Sequence, residues 1–103
     1  MQKLDRNAAL PDEMQGRWSD VDEPETILSI SGGDVVYSGV PVEYDHKLVG
    51  EEDGALNVSL MVDDPAMEDD FQRANVTGLV ITPEGDMLAY NVKFASEFVR
   101  AND

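Results

Sequence analysis

The chain has 103 residues, enough for one domain and too few for two. It carries 22 acidic residues against seven basic ones, for a formal net charge of −15, and it has no cysteine. Disulfides and thiolate metal sites are therefore excluded. A surface this acidic argues against nucleic acid and anionic membranes as partners, because both are bound through basic side chains. It is typical of a solvated shell, or of a docking surface for a basic protein partner.

The first 15 residues show no apolar periodicity, so we expect 1–15 to form a loose N-terminal arm and 16–103 to form a single domain. No stretch has the pattern of a secretory signal, and none approaches the roughly 20 apolar residues of a membrane span. The sequence therefore predicts a cytoplasmic protein.

From Gly16 onward, apolar residues recur at every second position, the spacing of half-buried β-strands. "ETILSIS" places Leu28 and Ile30 on one face, and "GGD" at 32–34 predicts a tight turn into "VVYSG". The stretch "GVPVEYDHKLVG", 39–50, continues the alternation. Its even positions are predicted to point inward, with Lys47 outward. Those even positions are Val40, Val42, Tyr44, His46 and Leu48.

The second half of the chain predicts further strands. "ALNVSLMV", 55–62, alternates strictly, while "NVTGLVIT", 75–82, is apolar on both sides and is expected to be more deeply covered. In "MLAYNVKF", 87–94, the inward residues are predicted to be Leu88, Tyr90, Val92 and Phe94, with Ala89, Asn91 and Lys93 outward.

One stretch departs from period two and predicts a short helix near 65–73. Asp64 can cap it, Pro65 suits its first position, and Met67 and Phe71 lie four residues apart on one face. The predicted fold is all-β, with an antiparallel up-and-down meander of about six to eight short strands closing into a small barrel.

A short motif precedes the strands. Gly16 and Trp18 form a Gly-x-Trp that contains the only tryptophan, and Arg100 stands at the far end of the last strand. This pattern resembles that of the calycins, the lipocalins and fatty-acid-binding proteins. The resemblance implies a barrel closed at one end by a structural pair, the Trp18 indole under the Arg100 guanidinium, with a cavity for a small apolar ligand. A guanidinium over an indole is a favourable cation–π contact.

No catalytic, metal or cofactor motif is present. His46 is the only histidine, and it can pack, contact a ligand or act as a general base, although no partner for catalysis can be named. If the barrel holds a ligand, its polar contacts are predicted to come from Tyr44, His46 and Tyr90.

Two kinds of non-enzymatic function are favoured, and an enzyme that uses His46 as its only candidate base is the least supported alternative. The first is a binding module for a small apolar ligand inside the barrel. The alternative is a protein-interaction or inhibitor-like module that acts through its acidic surface or an edge strand. Homodimerisation through an exposed edge is a related hypothesis.

Overall fold

The alternating stretches of the sequence form ten antiparallel strands in the computed structural model, which describes residues 2–101. The strands are β1 (Gln2–Asp5), β2 (Gly16–Asp20), β3 (Ile27–Ser31), β4 (Asp34–Tyr37), β5 (Val40–Pro41), β6 (His46–Glu52), β7 (Ala55–Met61), β8 (Gly78–Ile81), β9 (Met87–Tyr90) and β10 (Ala95–Arg100). A 3₁₀ turn covers Asp12–Met14, and the helix α1 covers Pro65–Ala74.

The strands form one sheet in the order β1-β6-β7-β8-β9-β10-β2-β3-β4-β5. The expected all-β architecture is confirmed, but the predicted closed barrel is wrong: the sheet is a curled half-barrel with edges at β1 and β5. Strand β5 has only two residues, and the chain bends before β6, so these consecutive strands do not pair. Strand β1 lies beside β6 instead, in a position that a meander would give to β5.

The segment expected to be a loose arm is ordered against the sheet over its described residues. Strand β1 pairs with β6, and Leu10 and Met14 are fully buried. The Gln15 amide bonds Gly32 through both of its polar atoms, so the arm is fastened to the turn between β3 and β4.

The helix expected near 65–73 is found at Pro65–Ala74. The Asp64 carboxylate accepts a hydrogen bond from the Ala66 amide at 2.9 Å, and Pro65 occupies the first turn. Only Phe71 of this helix is buried, whereas Met67 is 54% exposed. The apolar face of α1 is therefore only half covered.

The core lies on the concave side of the sheet. Its largest fully buried side chains include Trp18, Leu28, Leu60, Leu79, Met87 and Phe98. The prediction that Leu88 and Tyr90 point inward is wrong, because Met87 and Ala89 are the buried residues of β9. Register explains the difference: Met87 lies opposite both Phe98 and Ile81, and directly opposed residues share one face.

Tyr90 thus lies on the convex face, where it covers a glycine on the neighbouring strand. Gly78 is its cross-strand partner, and a Cβ added to Gly78 would stand 2.1 Å from the Tyr90 ring. The ring therefore packs directly on the backbone of β8, in the space that any other residue would fill.

We expect Gly78→Ala to lower the free energy of unfolding by about 1–3 kcal/mol, since the new methyl group must displace the ring. Urea unfolding of the single and double variants measures this. In a Tyr90→Ala background the same substitution should cost far less, because the obstructing ring is gone. An equal cost in both backgrounds would contradict the packing described here.

Candidate functional site

In the stretch 39–50, the alternation of inward-facing and outward-facing side chains shifts by one residue part-way along. Val42 and Tyr44 are buried as expected, but the next buried residue is Lys47, which has no exposed surface. The prediction that Lys47 points outward is therefore wrong. The cause is a bend at Asp45, whose amide donates to the Met61 carbonyl and whose carboxylate accepts from the Asp63 amide. The bend shifts the alternation of β6 by one residue.

Lys47 and Tyr44 lie in the seam between the two edges of the sheet. The Lys47 ammonium donates to the Asp5 carbonyl at 2.7 Å, and its nitrogen lies 3.1 Å from the Tyr44 hydroxyl. The Tyr44 hydroxyl donates to the Gly33 carbonyl. Arg6 also bonds the Gly33 carbonyl, at 2.7 Å, and its guanidinium carbon lies 4.5 Å from the centre of the Tyr44 ring. These side chains bridge the seam where no β-ladder does.

The ammonium in this seam is bound by neutral oxygens, with no carboxylate in contact among the described residues. Burial lowers the pKa of Lys47 from its ordinary value of 10.5, and the positive charge of Arg6 lowers it further. Burial raises the pKa of Tyr44 above 10.0, although Arg6 opposes that shift. Both changes disfavour the ionised forms in the seam.

His46 points away from this seam. Its Nδ1 lies 2.6 Å from Asp63 Oδ1, at the start of the connection to α1. Tyr44 bonds the Gly33 carbonyl, and Tyr90 lies on the convex face. The structure therefore does not bring the three predicted ligand-binding side chains together around one space.

The structure does bring Trp18 and Arg100 together. The Arg100 guanidinium carbon lies 4.1 Å from the centre of the Trp18 ring, and the indole N–H donates to the Met14 carbonyl at 3.0 Å. Arg100 also donates to the carbonyls of Glu13, at 3.0 Å, and Gln15. The contact covers buried Trp18 at one end of the sheet and fastens the 3₁₀ turn there.

A groove of about 630 Å³ lies between α1 and the segment 40–45. Its apolar lining consists of Val40, Pro41, Val62, Met67 and Phe71. Val40 is 62% exposed, which makes it, with Met67, one of the most exposed large apolar side chains of the described chain. The groove therefore presents apolar surface that the fold itself leaves uncovered.

Four carboxylates line the same groove: Glu43 and Asp45 on one wall, and Asp64 and Asp70 on the other. No lysine or arginine is among the described residues that line it. The carboxylates of Asp45 and Asp64 each accept one backbone hydrogen bond, whereas the carboxylates of Glu43 and Asp70 have no hydrogen-bond or ion-pair partner within residues 2–101. The groove thus combines exposed apolar side chains with carboxylates on both walls, which form its acidic rim.

The sequence predicts the helical wall of this groove, with Met67 and Phe71 on one face, but not the opposite wall. The prediction that Val40 points inward is wrong, because Val40 is 62% exposed. The bend at Asp45 that separates 40–45 from β6 depends on contacts with Met61 and Asp63. One signal in the sequence could have located the groove: the segment 40–45 and the start of α1 each carry acidic residues close to an apolar residue.

Within residues 2–101, no group of three or more His, Asp or Glu side chains is arranged to hold a metal ion. None of the described helices is long and apolar enough to cross a membrane.

Comparison with known proteins does not assign this chain to a family. No family model matches the chain, and no curated protein or solved structure shows significant similarity to it. The resemblance to the calycins therefore stays a prediction.

The buried ammonium predicts how stability depends on pH. Because the pKa of Lys47 is lower in the folded state, the unfolded chain binds more protons between that value and 10.5, so stability rises as pH rises across this window. Lys47→Met removes this contribution. We expect the stability of the variant relative to the parent to fall as pH rises through the lowered pKa of Lys47 toward 10.5, the window in which the folded and unfolded parent differ in protonation.

Urea unfolding at several pH values measures the difference, with Lys93→Met as the control because Lys93 is exposed. A pH-independent difference between Lys47→Met and the parent protein would contradict the described burial of the ammonium.

Proposed function

We propose that this protein is a non-enzymatic protein-binding module, and that the groove between α1 and 40–45 receives a basic, partly apolar segment of a partner protein. The observation that carries the proposal is the lining of the groove, where each wall combines an exposed apolar side chain, Val40 or Met67, with two carboxylates, and no basic residue is among the described lining. Such a surface is complementary to cationic side chains that flank apolar ones.

The charge of the whole chain supports the same partner. A net charge of −15 attracts a cationic segment from a distance and repels nucleic acid and anionic lipid. The exposed apolar side chains then supply the short-range contribution. Methionine suits this task because its flexible, polarisable side chain adapts to different partner surfaces.

A small ligand inside the curled sheet remains the competing prediction. It is less favoured because Tyr44 and His46 already bond to Gly33 and Asp63, and Tyr90 packs on Gly78 outside the core. Native mass spectrometry of the purified protein tests this alternative, since a retained ligand would add its mass to the chain.

The proposed function predicts salt-dependent binding of basic, apolar peptides. We expect a fluorescently labelled peptide of about 12 residues, composed of lysine and leucine, to bind with a Kd on the order of micromolar at about 50 mM salt. The affinity should fall by about tenfold or more at about 500 mM salt, because screening weakens the attraction between exposed charges. A peptide with glutamate in place of lysine should not bind.

The location of binding is tested with paired variants of equal charge. Glu43→Gln with Asp70→Asn removes two groove charges, whereas Glu52→Gln with Glu84→Gln removes two exposed charges elsewhere. We expect the groove pair to weaken binding by about fivefold or more and the control pair to weaken it by less than about twofold. Equal losses in the two pairs would show that the peptide responds only to total charge, and the proposal would fail.

A further inference from the structure

We infer that the segment received by the groove is a short amphipathic helix, with an apolar stripe flanked on both sides by lysine or arginine. This inference rests on the proposed function and specifies the conformation of the partner. It follows from where the carboxylates lie, from the backbone of β5 and from the length of α1.

The acidic residues occupy both walls of the groove. Glu43 and Asp45 belong to the 40–45 side, and Asp64 and Asp70 belong to the helix side, where the exposed Met67 lies three residues from each of them along α1. A helix projects side chains all around its axis, so a central apolar stripe can contact the floor while residues on its two flanks reach both walls. An extended strand projects alternate side chains toward and away from the groove, which would direct half of them to solvent.

The edge strand offers little to a partner that would extend the sheet. The Val42 amide donates to Val35 on β4, so by the alternation of antiparallel strands the backbone groups of Pro41 and Glu43 face the free edge. Pro41 has no N–H, so Glu43 provides the only amide donor there between 41 and 43. Strand addition depends on a run of main-chain hydrogen bonds, and this edge cannot supply one.

The length of α1 sets the length of the segment. Ten residues at about 1.5 Å per residue span about 15 Å, so an occupant that lies along α1 needs about three helical turns. Such a helix presents apolar residues at i, i+3 or i+4, and i+7 to the groove. A second copy of this chain is a poor occupant, because it would bring another net charge of −15 against the acidic rim.

The test uses two peptides of about 12 residues with identical lysine and leucine content. In the first, leucine recurs at helical spacing, and in the second it alternates with lysine at strand spacing. We expect the helix-patterned peptide to bind the intact protein about tenfold more tightly and to gain helical circular dichroism on binding. Met67→Ser should weaken this binding by about fivefold or more, whereas Val92→Ser, at an exposed apolar residue outside the groove, should leave it unchanged.

Comparison of the two peptides on the parent protein separates the two modes of binding. Equal or tighter binding of the strand-patterned peptide to the parent protein would overturn the helical inference and leave the proposed function standing. Failure of both peptides to bind would overturn the proposed function as well, and self-association that Met67→Ser abolishes would identify a second copy as the occupant and overturn the inference.

Discussion

The bend at Asp45 is the constraint on which the rest of this structure depends. Its backbone and carboxylate are both bonded to the 61–63 segment, which stops β5 after two residues and shifts the alternation of β6. Because the alternation shifts, Lys47 is buried in the seam, while Glu43, before the bend, lines the groove opposite α1. The seam and the groove are thus two results of one local departure from the strand geometry.

The distribution of positive charge explains why the groove stays acidic. At least four of the seven basic residues are engaged elsewhere: Arg6 pairs with Asp34, Arg73 with Asp69, Arg100 stacks on Trp18, and Lys47 is buried against carbonyl oxygens. Since these cations already serve the fold, they do not neutralise the rim. A chain with 22 acidic residues therefore keeps two carboxylates, Glu43 and Asp70, without partners beside its exposed apolar surface.

What the sequence could predict follows from the range of the interactions involved. The helix at Pro65–Ala74 and the turn before β4 are determined by neighbouring residues, such as the Asp64 cap, and both are found. The orientation of β9 depends on the register of Met87 against Phe98. The burial of Lys47 depends on hydrogen bonds to backbone carbonyls that lie more than 40 residues away in the sequence. Periodicity is equally strong for either face of such strands, so it cannot choose between them.

The incomplete packing of α1 is connected to the proposed binding of a partner in the groove. The spacing of Met67 and Phe71 places both on one face, but the fold buries only Phe71, so a single ring anchors ten residues. A helix of this length has little stability of its own in water and depends on the apolar area that it buries. An occupant that covers Met67 would supply the missing half of that area. Binding in the groove and the stability of α1 are therefore thermodynamically linked, and each increases the other.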